Sequence, residues 1–192
     1  MSSHHFVKEG QEPAMLVMEG ASFDSIASLL EWSPRVLVAS DALERVLTWG
    51  ISIDAVIAIG DTPATARLLE EQSVPIIRAD DVFHALSSFL KPRHQHEVTL
   101  AVDDLDRIRT HAERCFSDFR ITIVTNDIRW IPITGAYEKW LPAGSRLFIR
   151  ESANDKLLSV QNLIKEGGSF VAEKDGIIRI HSSKLVWLGE SL

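Results

Sequence analysis

The chain has 192 residues, 45% hydrophobic and 24% charged, the balance of a folded globular protein rather than a disordered or fibrous one. Its formal net charge of −7 offers phosphodiester backbones no general attraction, so nucleic-acid binding is not expected. No apolar run approaches the roughly 18 residues that cross a bilayer, and a lone Cys115 leaves no internal disulfide to form.

The opening segment MSSHHFVKEGQEP is polar and has no apolar signal core, so a cytoplasmic location is expected. AMLVMEG follows as a short apolar run closed by Gly20 and predicts a buried strand. In SFDSIASLLEW, Ser22 is placed to cap a helix with Phe23, Ile26, Leu29 and Leu30 on one face. RVLVAS predicts the next strand and DALERVLTW the next helix, closed by Gly50. DAVIAIG is a third strand. In TPATARLLEEQ, Thr62 reads as an N-cap with Pro63 at the first helical position. VPIIRA and DDVFHALSSFL repeat the unit, as do VTLAV and DDLDRIRTHAERCF, and RITIVT closes the series. Near-continuous apolar strands alternating with helices predict an α/β fold: a Rossmann-like parallel sheet with helices on both faces, over residues 1–128.

The rhythm changes near Asn126-Asp127. Short strand-like runs follow (RWIPI, SRLFIRES, KLLSVQNLI, GSFVAEK, GIIRIHS and KLVWLG), separated by turn signals. Asp175-Gly176, between two such runs, predicts a hairpin. Residues 129–192 therefore read as a small antiparallel β domain. At about 60 residues it is short for an independent fold, so it is expected to lean on the first domain or on a second copy of the chain.

Ligands of parallel α/β sheets gather beyond the carboxyl ends of the strands. Four successive strands deliver acids to that edge: Asp41, then Gly60-Asp61, then Asp80-Asp81, then Asp103-Asp104. Each admits two readings. Asp is a favoured helix N-cap and suits the positive end of a helix dipole. Carboxylates recurring at one edge also suit Mg²⁺, which takes oxygen ligands and bridges them to substrate phosphates.

The stretch VLVASDALERVLTWGISIDAVIAIGDTPATARLL resembles the core of thiamine pyrophosphokinases. In that family a strand ends in Asp-Gly-Gly, a helix and a Gly-Ile-x-Pro-Asp turn follow, and the next strand ends in Gly-Asp-x-Asp-Ser. Asp81-Val82-Phe83-His84-Ala85-Leu86 is similar to a Thr-Asp motif of the same family, and the archaeal hydroxymethylpterin pyrophosphokinases share the Asp-Gly-Ala helix. The resemblance implies transfer of pyrophosphate from ATP to thiamine or a related alcohol, with Mg²⁺, by a cytoplasmic homodimer. By matching, Asp41, Asp61 and Asp81 take the catalytic and metal positions, and Gly60 and Thr62 join Asp41 and Asp61 in holding the nucleotide.

This chain departs from the pattern. Asp-Gly-Gly is Asp41-Ala42-Leu43, Gly-Asp-x-Asp-Ser is Gly60-Asp61-Thr62-Pro63-Ala64, and the glycine-rich Arg-x-Asp-His segment is replaced by VDDLDRIRTHAER. The replacements imply a partly eroded catalytic site. The alternative is a non-catalytic member that serves as a nucleotide-binding or dimeric interaction module. Trp130 and Trp140 are candidates to stack on a flat cationic substrate, with burial in a core or dimer interface as the plainer reading. Cys115, on the apolar face of a helix, reads as an inert thiol, and His94 and His96 as solvated loop residues.

Overall fold

The computed structural model describes residues 13–60, 64–151 and 158–192. It is a mixed α/β chain of two compact units, Met1–Asn126 and Asp127–Leu192.

In the first unit, β1 (Ala14–Val17), β2 (Arg35–Ala39), β3 (Ala55–Ile59), β4 (Ile76–Ala79), β5 (Glu97–Val102) and β6 (Arg120–Thr125) form parallel pairs in the order β6-β5-β1-β2-β3-β4. Between them run α1 (Phe23–Leu30), α2 (Leu43–Leu47), α3 (Ala64–Glu71), α4 (Val82–Leu90) and α5 (Leu105–Glu113). The unbroken apolar character of the strands has a direct cause. Met15, Val17, Val36, Val38 and Val56 pack with Ile26 of α1 and with Leu43 and Val46 of α2. Their alternates Leu16, Leu37, Ile57 and Leu100 point the other way and are equally buried, so both faces are covered.

Local chemistry sets the helix ends. Ser22 caps α1 by accepting from the Ser25 N–H, and Asp104 caps α5 by accepting from the Asp106 N–H. Helix α2 is shorter than DALERVLTW suggests. Its N-cap is Ala42, which has no side-chain acceptor, and the chain leaves the helix at Thr48 and reaches Gly50 at φ +68°. Asp54, in the turn before β3, accepts from the Val36 N–H at 2.7 Å and so ties that turn to β2.

The second unit contains β7 (Ile128–Leu141), β8 (Arg146–Glu151), β9 (Leu158–Gln161), β10 (Leu163–Glu166), β11 (Ser169–Ala172) and β12 (Gly176–Ser191), all paired antiparallel. The order is β10-β11-β8-β12-β7, and β9 also pairs with β12. RWIPI is only the start of the 14-residue β7, while GIIRIHS and KLVWLG are the two arms of the 16-residue β12.

The hairpin expected at Asp175-Gly176 does not form. β11 pairs with β10 and β8, whereas Gly176 lies opposite Leu141 of β7. The Asp175 carboxylate instead accepts from the Ala143 N–H at 2.7 Å. A two-residue hairpin occurs at Gly167-Gly168, where Gly167 has φ +59° and Glu166 faces Ser169. Turn residues mark where a strand stops, and they do not say which strand it pairs with.

The long β7–β12 ribbon bends. Gly135 takes φ +79°, and the register shifts between Ser182 and Val186, where four steps of β12 match two of β7. Ile133, Leu147, Leu163, Ile178, Ile180, Val186 and Leu188 fill the core this creates. The bend also assembles a polar cluster. In a straight strand Arg129 and Lys139 would stand about 33 Å apart. Here Arg129 Nη2 (3.0 Å) and Lys139 Nζ (2.7 Å) both donate to Oε2 of Glu190, and the Tyr137 hydroxyl donates to Oε1 at 3.0 Å. Glu190 is only 7% exposed. Burial alone would raise its pKa, but the hydrogen bonds from Lys139, Arg129 and Tyr137 outweigh burial and hold it below the ordinary value.

Candidate functional site

The parallel order places the carboxyl ends of β2, β3 and β4 side by side, and with them Asp41, Gly60 and Asp81. Asp61 and Thr62 lie outside the described residues. β2 and β4 are two strand spacings apart, about 10 Å, and Gly60 follows the strand between them.

The three described positions differ in chemistry. Asp41 is exposed, and among the described residues none pairs with its carboxylate. Gly60 has φ +74° with open space where a side chain would be, which leaves its backbone approachable. Asp81 is a helix cap: Oδ1 accepts from the N–H groups of Phe83 (2.8 Å) and His84 (3.0 Å) at the start of α4. Its Oδ2 is not used by the cap. Ala42 and Leu43, which replace two family glycines, are 1% and 0% exposed and belong to the core beneath α2.

The switch in strand order is a second feature of this edge. The chain steps from β1 outward to β4 and then returns to lay β5 on the other side of β1. Ligand crevices of open α/β sheets form at such a reversal. Gly20, in the turn after β1, has φ +84°, and a Cβ there would fall 2.2 Å from Cγ of Asp103. Arg107 donates to Asp103 (2.8 Å) and to Glu19 (2.9 Å), joining the ends of β5 and β1. All three side chains are substantially exposed, so solvent screens the pairs. Reading the acids strand by strand missed this group, because only the pairing of β1 with β5 brings residues 88 positions apart together.

Oxygen donors at this edge suit Mg²⁺, which is commonly held by one or two carboxylates and keeps several waters. Among the described residues no group of three or more His, Cys, Asp or Glu side chains could hold a metal ion. Exposed Asp41 fits as one such carboxylate. A closed cage built from described side chains is absent.

Trp130 is 4% exposed. It lies 6.3 Å from Phe148 between ring centroids, and it covers Gly189, where a Cβ would meet the indole at 2.7 Å. Trp140 is 60% exposed and pairs across the ribbon with exposed Ile177. A 230 Å³ hollow lies at the amino ends of β1, β5 and β6, lined by Pro13, Glu97, Thr99 and Arg120. A 120 Å³ hollow lies on the second unit beside Glu138, Gln161, Arg179 and His181. Burial pushes the Cys115 thiol pKa up, assisted by the charges of Asp118 and Asp81, which disfavours a nucleophilic thiolate. No described helix is long and apolar enough to cross a membrane.

No protein-family model matches the sequence, and no curated protein matches it. By structure, the chain has the fold of the thiamine pyrophosphokinases, and the resemblance in its sequence motifs is borne out at that level. The thiamine pyrophosphokinase of Bacillus subtilis superimposes with a TM-score of 0.64 at 10% identity, over 94% of this chain and 100% of that one. The Candida albicans enzyme gives 0.66 at 7% identity, over 96% and 90%. That of Geobacillus thermodenitrificans gives 0.64 at 10% identity, over 93% and 97%.

Proposed function

We propose that this chain is a divergent thiamine pyrophosphokinase-like protein that binds the phosphates of ATP with Mg²⁺ at the carboxyl edge of a Rossmann-like first domain. The observation that carries this reading is the full-length likeness of fold to thiamine pyrophosphokinases, joined to an exposed Asp41 and an open Gly60 on adjacent strand ends. Asp41 and Asp61 are the Mg²⁺ ligands, Gly60 and Thr62 offer backbone and hydroxyl to the phosphates, and Asp81 holds the first turn of α4 while presenting Oδ2. Bound Mg²⁺ would neutralise phosphate charge as the pyrophosphoryl group passes to the acceptor hydroxyl and AMP leaves. Trp140 offers a ring for a flat cationic acceptor such as thiamine, and Trp130 supports the β unit that carries it. The working form is a cytoplasmic homodimer.

A non-catalytic nucleotide-binding module is the second reading, and two observations favour it. Asp81 is committed to a cap through one oxygen, and Pro63 replaces the second Asp of the family motif. Calorimetric titration with ATP and Mg²⁺, followed by an AMP-release assay with thiamine, separates the two. Metal-dependent heat that Asp61→Asn abolishes, accompanied by AMP, supports the enzyme. Heat without AMP leaves the binding module, and no heat in the wild type overturns both.

A further inference from the structure

The second unit carries a charged cluster that the strand-edge reading does not use. Arg129, Tyr137, Lys139 and Glu190 lie on the strand faces that also carry Ile131, Ile133, Leu141, Val186 and Leu188, so they form a polar end to the apolar core of the β unit. Glu190 is buried, but its two cationic partners are not: the side chains of Arg129 and Lys139 are 45% and 38% exposed. Both cations donate to the same carboxylate oxygen, which sets them side by side. The cluster holds two positive charges against one negative.

A guanidinium carries five N–H donors and an ammonium three. One from each is directed at Glu190, which leaves the remaining donors of two partly exposed side chains for a further acceptor. The buried carboxylate fixes both head groups, so a ligand spanning them pays little to order two long side chains. Tyr137 reinforces the arrangement from the other carboxylate oxygen. A guanidinium and an ammonium that meet on one oxygen atom are close enough for a single small oxyanion to bridge, and it would accept charge-assisted hydrogen bonds from each.

We infer that Arg129 and Lys139, held in place by buried Glu190, form a binding site for a small oxyanion: inorganic phosphate or the phosphoryl group of a phosphate ester. The site lies within the second unit and does not depend on the pyrophosphokinase reading. The excess charge is local, because the chain as a whole carries −7 and would repel anions at long range.

Titration of the full chain with inorganic phosphate at constant ionic strength, followed by amide NMR, tests this. Saturable shifts centred on Arg129, Tyr137, Lys139 and Glu190 are expected. Lys139→Gln and Arg129→Gln should each weaken the affinity by roughly tenfold, as loss of one charge-assisted contact implies. Lys165→Gln, on exposed β10, should leave it unchanged. AMP displacing phosphate from the same amides supports the site with an esterified source, and phosphate acting alone supports it with the free ion. Shifts in the wild type that never saturate or centre elsewhere overturn the inference, whether or not the variants fold. So does an equal response in Lys165→Gln and Lys139→Gln.

Discussion

The two units handle charge in opposite ways. In the first, the acids at the strand ends stand outside the core: Asp81 and Asp104 cap helices, Glu19 and Asp103 meet Arg107 in solvent, and Asp41 is exposed. In the second, one carboxylate is drawn inside and surrounded by three donors from a bent strand. Surface acids of the first kind can change at small cost, because water replaces whatever they lose. A buried carboxylate that accepts from three donors cannot, because a neutral replacement loses the charge that two cations share and cannot accept from all three. The same side-chain type is thus free for binding in one unit and bound to the architecture in the other.

The contrast can be broken most directly at Glu190. Glu190→Gln should destabilise the protein by about 3 kcal/mol, seen as an early transition of the second unit in denaturant or heat. A loss no larger than that of a surface substitution would remove the contrast. The same group sets an acid limit. Its folded pKa is depressed, so its stabilisation is complete above the ordinary glutamate value near pH 4.3 and is lost as pH falls through the lower folded value. In Glu190→Gln that component of the acid transition should be missing.

Tyr137 sharpens the comparison without a change in fold. It is the one tyrosine in the chain, so tyrosinate absorbance reports it alone. Burial raises its pKa first, and the charge and hydrogen bond of Glu190 raise it further. Spectrophotometric titration should find it ionising above the usual value of about 10, and Glu190→Gln should lower the midpoint. An ordinary midpoint in the wild type would mean that the phenol is not held by Glu190.

The smallest effect is expected in the first unit. Asp81→Ala removes a cap and should cost about 1 kcal/mol in thermal unfolding. Asp81→Asn keeps a cap acceptor and should leave stability nearly unchanged. If nucleotide binding with Mg²⁺ falls in Asp81→Asn while stability holds, the carboxylate has a role beyond the cap.

Sequence alone determined the βα rhythm, because a strand buried on both faces must be apolar throughout and a helix needs its caps. Ser22, Asp81 and Asp104 act as caps where local chemistry placed them. It also located the acids at one edge, since every parallel crossover ends on the same side. Tertiary structure alone decided that Ala42 and Leu43 turn into the core, that β5 returns beside β1 to join Arg107 with Glu19, and that Asp175-Gly176 starts a strand pairing with β7. It alone decided, too, that Arg129 and Lys139 meet on Glu190. Periodicity reports which face of an element is buried, whereas these contacts depend on which elements become neighbours and where a long ribbon bends.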